Sequence, residues 1–204
     1  MIIGVDIDEV LSETLDYVLA YHNYQIKGLP LQRQDMVEYY IPSVPGFEQI
    51  EKQDAVSFFT DGMLDPHRGE GLQPVEGARA VLEKAKEAGH RLIAITARGP
   101  LVQEATLAWM QEYYGDLFDE VVFCNYHDSS YPQQTKQEVC HNRGVEVMVD
   151  DNLHYARDLA KAGIPVYLID RPWNQQYRPE SDLGIKKVVS RAEIDFAVLP
   201  AFGV

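Results

Sequence analysis

Short apolar runs alternate along most of the chain with longer segments whose apolar residues recur at helical spacing. The runs are rich in Ile, Val and Leu and lack strict alternation of apolar and polar positions, which is typical of strands buried on both faces. They lie at Ile2–Val5, Leu92–Ile95, Val121–Phe123, Val145–Val149 and Val166–Ile169. We therefore expect a parallel sheet at the centre of the fold.

Helical segments separate these runs. One apolar face comprises Ala78, Val81, Leu82, Ala85 and Ala88, and Gly89 is expected to stop that helix. A second face comprises Val102, Ala105, Trp109, Met110 and Tyr113. Two more helices are expected after Gln134 and Asn152, the latter ending near Ala162. The alternation of strands and helices predicts an α/β, Rossmann-like fold with helices flanking the sheet.

The stretch between the first strand and the Pro74–Gly77 turn breaks this alternation, because it contains helix-like segments but no convincing buried strand. It is rich in aromatic residues, namely Tyr17, Tyr21, Tyr24, Tyr39, Tyr40, Phe47, Phe58 and Phe59. We expect a helical subdomain over residues 14–73, inserted into a core formed by 1–13 and 74–204. The aromatic residues form a small core of this subdomain or, in a sharper alternative, some of them face a ligand at the sheet edge.

Polar side chains follow three of the predicted strands at the point where each strand ends. These segments are Asp6-Ile7-Asp8, Thr96-Ala97-Arg98 and Asp150-Asp151, and Lys136 lies near the start of the helix before the last of them. Ligands of open parallel sheets bind outside the carboxyl ends of the strands. We therefore expect the carboxylates, the hydroxyl and the lysine to converge on one edge.

Such a group of carboxylates is self-repelling and favours a hard divalent cation, and an all-oxygen site suits Mg²⁺. With the metal present, one carboxylate can attack phosphorus while a second moves a proton. The loop after the first strand can direct backbone N–H groups at phosphoryl oxygens, and Lys136 supplies a positive charge for the transferring group. Each residue alone has an ordinary explanation, such as a helix cap for an aspartate or a solvated position for a lysine. Their joint occurrence at successive strand ends favours a catalytic site over these separate explanations.

The 204 residues carry a formal net charge of −14, with a sequence pI near 4.7. This charge disfavours binding to nucleic-acid polymers or anionic membranes, and it requires a local positive site for any phosphorylated substrate. No apolar stretch approaches the roughly 20 residues of a membrane span, and the N-terminal segment does not resemble a signal peptide. Cys124 and Cys140 form neither a metal-binding pattern nor a disulfide framework. We expect a soluble, cytoplasmic protein.

Four segments match a known family pattern. IIGVDIDEVL resembles motif I of the haloacid dehalogenase-like (HAD) superfamily, and LIAITAR resembles motif II. The lysine of TKQEVCHNRG lies where motif III has its lysine, and VEVMVDD resembles motif IV. The resemblance implies a HAD core with a C1-type helical cap and phosphatase activity with Mg²⁺. It also implies roles for the matching residues.

By this resemblance Asp6 is the nucleophile and a magnesium ligand, and Asp8 is the general acid/base whose backbone carbonyl also binds the metal. Thr96 hydrogen-bonds the phosphoryl group and Lys136 neutralises it. Asp150 completes the metal shell, directly or through water, and Asp151 supports it. The implied phosphate-binding set is Asp6, Ile7, Asp8, Thr96, Ala97, Arg98 and Lys136.

Three further segments, RQDMVEYY, LQPVEGA and IPVYLIDRPWNQ, are similar to the type C family of cytosolic 5′-deoxynucleotidases. This likeness implies a 5′(3′)-(deoxy)ribonucleotidase acting on nucleoside monophosphates, with RPWN at Arg171–Asn174 as a related stretch. The sequence departs from the animal members after Thr96, where Ala97-Arg98-Gly99-Pro100 replaces Ser-Pro. Two interpretations of Arg98 stay open, a phosphate contact and an exposed salt-bridging residue.

Two other functions remain as alternatives. One is a HAD phosphatase for a sugar phosphate or another small metabolite. The other is a phosphate-binding or phosphoacceptor module without turnover. The motif order disfavours a phosphoacceptor, because the Asp pair comes after Thr and Lys, and the intact catalytic positions disfavour a binding protein without turnover. The expected partner is a small phosphorylated molecule, and a homodimer is left open.

Overall fold

The described strands form one six-stranded, all-parallel sheet in the order β3-β2-β1-β4-β5-β6. A computed structural model describes residues 1–25, 32–39, 60, 63, 71–125, 132–189, 193–194 and 196, with the side chains of 21–25 excepted. The strands are β1 (Ile2–Val5), β2 (Arg91–Thr96), β3 (Glu120–Phe123), β4 (Val147–Asp150), β5 (Val166–Ile169) and β6 (Ile185–Val188). The expected α/β, Rossmann-like architecture is confirmed.

Helices cover both faces of this sheet. They are α1 (Thr14–Gln25), α2 (Ala78–Glu87), α3 (Gln103–Tyr113), α4 (Lys136–Arg143) and α5 (Leu153–Lys161), with 3₁₀ turns at Arg33–Asp35, Pro100–Val102 and Pro172–Asn174. Helices α2 and α3 pack with Val5 and Val149 on one face, and α4 and α5 pack with Ile95 and Met148 on the other. Strand β1 is therefore buried on both sides, in agreement with its unbroken apolar sequence.

The sequence missed β6 and misplaced two smaller features. Strand β4 begins at Val147 rather than Val145, and it extends to Asp150. On α3 the buried position is Thr106 and not Ala105, because Thr106 donates a hydrogen bond to the Val102 carbonyl (2.7 Å) and accepts one from Arg98. These polar contacts allow a hydroxyl to replace a methyl group inside the helix packing.

Helix α1 and the Arg33–Asp35 turn lie in the predicted insertion. On α1, Leu15, Val18 and Leu19 are buried. The boundaries 14–73 stay a prediction, and the side chains of Tyr21, Tyr24, Tyr40, Phe47, Phe58 and Phe59 lie outside the described residues. Among the described helices, none is long and apolar enough to cross a membrane.

Candidate active site

Strands β1, β2 and β4 deliver their last residues to one edge of the sheet. The register aligns Val5 with Ala94 on one side and with Val149 on the other. The backbone N–H of Asp6 donates to the Val149 carbonyl (2.9 Å), which continues the ladder by one residue past β1. As expected from the sequence, Asp6, Thr96 and Asp150 therefore lie at the same edge of the sheet.

Lys136 lies between two of these carboxylates. Its Nζ atom is 2.9 Å from Asp6 Oδ1 and 2.7 Å from Asp150 Oδ2, and all three side chains are buried. Thr135 caps α4 in a capping box with Glu138, which makes Lys136 the first residue of that helix. Burial opposes the charge on the lysine, but Asp150 and Asp6 outweigh it and raise the pKa of Lys136 well above its usual value. The lysine therefore stays protonated.

The three carboxylates of Asp6, Asp150 and Asp151 form a compact acidic cluster, with one oxygen from each lying within 4.8 Å of the others. Burial raises the pKa of Asp6 to about 7, and Asp150 and Asp8 add to this rise against the opposing charge of Lys136. Burial, followed by the charges of Asp150 and Asp6, also raises the pKa of Asp151 well above its usual value. The single positive charge of Lys136 therefore does not compensate the negative charges of the three carboxylates.

The acidic cluster has the donor set of a site for a hard divalent cation. It offers only oxygen atoms, and buried Asp6 Oδ1 lacks a partner in hydrogen-bond geometry although it is close to the Lys136 ammonium. Magnesium is bound in proteins by one or two carboxylates with water or phosphate oxygens in the remaining positions. Asp6, Asp150 and Asp151 could together hold such an ion, and Asp8 is not part of this cluster.

Asn152 caps α5 and so frees the preceding pair of aspartates from that role. Its side-chain oxygen accepts from the backbone N–H groups of His154 (2.8 Å) and Tyr155 (3.2 Å). Asp150 Oδ1 accepts the Asn152 N–H (2.8 Å), while Asp150 Oδ2 faces Lys136. The interpretation of Asp150 and Asp151 as mere helix caps is therefore not supported.

Trp173 and Asn174 orient Asp151, a function that the sequence did not assign to them. The Trp173 indole N–H donates to Asp151 Oδ2 (2.7 Å). The Asn174 amide donates to the backbone carbonyls of Asp151 (2.8 Å) and Ile169 (2.7 Å). Both side chains are buried in the 3₁₀ turn after β5. The RPWN segment was the available signal, but it pointed to a family and not to a contact.

Asp8 is held by Arg98 and not directed at Lys136. Arg98 Nη2 lies 2.7 Å from Asp8 Oδ1, and Nε donates to both carboxylate oxygens at 3.2 and 3.1 Å. Thr14 donates to the same Oδ1 atom (2.5 Å). Burial alone would raise the pKa of Asp8, but Arg98 and the Thr14 hydrogen bond hold it below its usual value. The arrangement keeps Asp8 ionised.

The exposed salt bridge that was one of the two alternatives for Arg98 is wrong, since its side chain is only 4% exposed. Besides Asp8, the guanidinium donates to Thr106 Oγ1 at 2.9 Å. Thr96 lies buried at the end of β2, where its hydroxyl accepts the Arg98 backbone N–H (3.1 Å). Ile7 belongs to the core, and Ala97 is partly exposed beside the site.

Two aromatic rings lie near the lysine. Tyr155 of α5 places its ring centroid 4.8 Å from Lys136 Nζ, in cation–π range. The Tyr39 ring, from the predicted insertion, meets the Tyr155 ring edge-on with centroids 6.2 Å apart. Cys124 and Cys140 are buried free thiols whose pKa values burial raises to about 11 and about 12, so neither is a nucleophile.

Comparison with known proteins finds low-identity relatives. No protein-family model matches the chain. It is 26% identical over 179 residues to YqfW of Bacillus subtilis, a candidate nucleotidase, with 85% of this chain and 82% of the relative covered.

Two solved structures are similar in fold. A candidate phosphoglycolate phosphatase of Lactobacillus delbrueckii subsp. bulgaricus superposes with a TM-score of 0.64 at 10% identity, covering 94% of this chain and 95% of the other. A haloacid dehalogenase-like hydrolase of Streptococcus pneumoniae gives a TM-score of 0.58 at 12% identity, covering 83% and 84%. The chain therefore has a HAD-like fold.

Proposed function

We propose that the chain is a magnesium-dependent phosphomonoester hydrolase that works through an aspartyl-phosphate on Asp6. The observation that carries this proposal is the Lys136 ammonium between Asp6 and Asp150, at a buried sheet edge that also holds Asp151. A nucleophilic carboxylate, a fixed cation for the phosphoryl oxygens and a carboxylate metal site are the parts that phosphoryl transfer requires. The HAD-like fold supports the same conclusion.

The chemistry assigned to these residues is a double displacement. A carboxylate oxygen of Asp6 forms a bond to phosphorus while the ester P–O bond breaks, and Asp8 gives a proton to the leaving oxygen. Asp8 then takes a proton from water, whose oxygen attacks phosphorus and releases inorganic phosphate and free Asp6. Asp6, Asp150 and Asp151 would hold Mg²⁺, which would supply positive charge to the phosphoryl oxygens. Thr96 and Lys136 hold the transferring group.

In the resting state, Arg98 keeps the Asp8 carboxylate ionised. An ionised Asp8 suits the second step, in which it accepts a proton, but it cannot donate one while Arg98 and Thr14 hold it. The carboxylate must therefore leave the guanidinium and take up a proton from solvent before the first step. Because Asp8 is one-third exposed, it has room to turn toward the substrate.

The substrate class we propose is a nucleoside monophosphate, with the predicted insertion 14–73 acting as a cap over the site. The name of the Bacillus relative supports this class. So does the Tyr39–Tyr155 pair beside Lys136, since aromatic rings stack on planar bases. The net charge of −14 disfavours polymeric nucleic acid as the substrate. The second candidate is a small phosphorylated carboxylate or sugar, and the structural likeness to a candidate phosphoglycolate phosphatase supports it.

The test pairs an Asp6→Asn variant with a substrate screen. Asp6→Asn is expected to lower the hydrolysis rate at least about 10³-fold, because the amide is a poor nucleophile. The matched control is Asp116→Asn, an exposed aspartate far along the chain from the cluster, which should keep full activity. Retained activity in Asp6→Asn would refute the mechanism.

The substrate screen compares nucleoside 5′- and 3′-monophosphates with sugar phosphates and phosphoglycolate. A preference for one nucleotide class supports the nucleotidase, and a preference for the other phosphate esters supports the second candidate.

A further inference from the structure

Glu9 follows Asp8 directly and has an unusual backbone conformation. Its φ angle is +63°, in the left-handed region that non-glycine residues rarely adopt. The residue is only 5% exposed. A buried glutamate in a strained conformation persists only where its surroundings hold it in place, and such residues cluster at functional sites.

The contacts of Glu9 supply that restraint. Its backbone N–H donates to the Ser12 carbonyl (2.9 Å), and its own carbonyl accepts a hydrogen bond from Arg171 Nη2. Side-chain Oε1 accepts the Leu15 N–H at the start of α1 (2.6 Å). Side-chain Oε2 forms an ion pair with Arg33 Nη1 and lies 3.5 Å from Arg171 Nε. Glu9 thus joins the loop after β1 to three other parts of the chain.

Arg33 is the charged contact of Glu9 that comes from the predicted insertion. It also pairs with Glu13 (2.7 Å) and Asp16 (2.9 Å), but Asp16 is 56% exposed and Glu13 33%, so water screens both. The Glu9 side chain is 7% exposed. Without Arg33 the buried carboxylate keeps only the longer contact to Arg171 (3.5 Å), and weakening a buried ion pair is more damaging than losing an exposed one. Arg33 therefore acts chiefly on Glu9.

We propose that Arg33 is a positioning residue that sets the orientation of Asp8 through Glu9. This inference rests on the proposed function, in which Asp8 transfers the proton. Asp6 is fixed independently, by its backbone bond to Val149 and by Lys136. The peptide after Asp8, in contrast, is held by the turn at Glu9. Loss of Arg33 should therefore disturb proton transfer to the leaving group and spare nucleophilic attack.

The leaving group makes this distinction measurable. Benzyl phosphate releases a strongly basic alkoxide that needs the proton of Asp8, whereas p-nitrophenyl phosphate releases a stable phenolate that does not. The two esters are similar in size, and kcat/KM reports steps only up to formation of the aspartyl-phosphate. Arg33→Gln is expected to lower kcat/KM for benzyl phosphate about tenfold or more, and for p-nitrophenyl phosphate about twofold or less.

Three variants serve as references. Asp8→Asn should show the same leaving-group selectivity more strongly. Arg143→Gln removes an exposed arginine that pairs with Glu120 (2.8 Å), and it should change neither substrate. Glu9→Gln should itself be selective and, combined with Arg33→Gln, should add little further loss, because the two residues act as a unit.

The outcomes separate the inference from the proposed function. An active wild-type chain in which Arg33→Gln affects both esters equally, or neither, overturns the inference alone, as does full additivity with Glu9→Gln. A wild-type chain inactive on all monoesters overturns both. Should Arg33→Gln fail to fold, Arg33→Lys retains the charge without the planar fork, and a smaller selective loss is expected from it.

Discussion

The orientation of Asp151 depends on two side chains beyond β5. Its carboxylate receives the Trp173 indole N–H at 2.7 Å, and its backbone carbonyl receives the Asn174 amide at 2.8 Å. Groups that hydrogen-bond metal ligands fix the ligand geometry, and their loss commonly costs about 10–100-fold in metal affinity. We therefore expect Trp173 to support the proposed metal site without lying in it.

Replacing the indole N–H tests this point. Trp173→Phe keeps a large apolar ring but removes the donor to Asp151, so we expect Mg²⁺ affinity to fall about 10–100-fold. Activity titrated against Mg²⁺ measures the change, which should appear as a higher requirement for metal with kcat largely restored at saturation. Trp109→Phe is the matched control, because its indole N–H donates to the Leu72 carbonyl and not to a residue of the acidic cluster. An unchanged magnesium requirement in Trp173→Phe would show that the hydrogen bond is dispensable.

Among the elements, β1 ends just before Asp6, the proposed nucleophile, and it is closely packed around Gly4. A Cβ atom added at Gly4 would lie 2.6 Å from Met148 Sδ, 3.1 Å from Val145 Cγ1 and 3.2 Å from Ile95 Cδ1. Overpacking of a dense core costs about 1–3 kcal/mol. We expect Gly4→Ala to lower the free energy of unfolding by about that amount in urea denaturation. Gly71→Ala, where a Cβ meets nothing within 4 Å, should leave stability unchanged or slightly higher; equal stability of the two variants would contradict the close packing of β1.

How far sequence predicts each element depends on whether its signal is local. The buried strands β1 and β5 have unbroken apolar sequences and were found within their limits. Strand β6 was missed because its Ile-Lys-Lys-Val sequence is short and half polar, as suits the edge of a sheet. Lys187 of this strand pairs with Asp170 (2.5 Å), a contact that only the fold creates.

The site shows the same division between local and distant information. Asp6, Thr96 and Asp150 were identified because they directly follow apolar strands, which is a local pattern. The hydrogen bond from Arg98 to Asp8 joins residues that are 90 positions apart in the sequence. The one from Trp173 to Asp151 joins residues that are 22 positions apart. Nothing in the sequence beside Arg98 indicates that its side chain is buried. The site residues at the ends of the strands were thus predictable from the sequence. The side chains that hold these residues in place were not, because their contacts form only in the folded chain.

For the whole molecule, the acidic cluster links stability to pH and metal. Burial raises the pKa of Asp6 from 3.8 to about 7 in the folded chain. A folded pKa above the unfolded value gives stability that is fully present below about pH 4 and lost as pH rises through about 7. The metal-free protein should therefore lose stability from this group over that interval. If Mg²⁺ binds the ionised carboxylates as proposed, it should reverse the loss.

We expect the melting temperature to rise with Mg²⁺ at about pH 8 and to respond much less at about pH 5.5, because protons compete with the metal for the cluster. At a concentration about 100 times the dissociation constant, binding contributes about 2.7 kcal/mol, equivalent to about 5–10 °C for a chain of this size. Thermal unfolding with and without Mg²⁺ measures both shifts. Asp150→Asn should abolish the dependence on Mg²⁺, whereas exposed Asp116→Asn should retain it. A shift equal at both pH values, or one that persists in Asp150→Asn, would place the binding of Mg²⁺ outside this cluster.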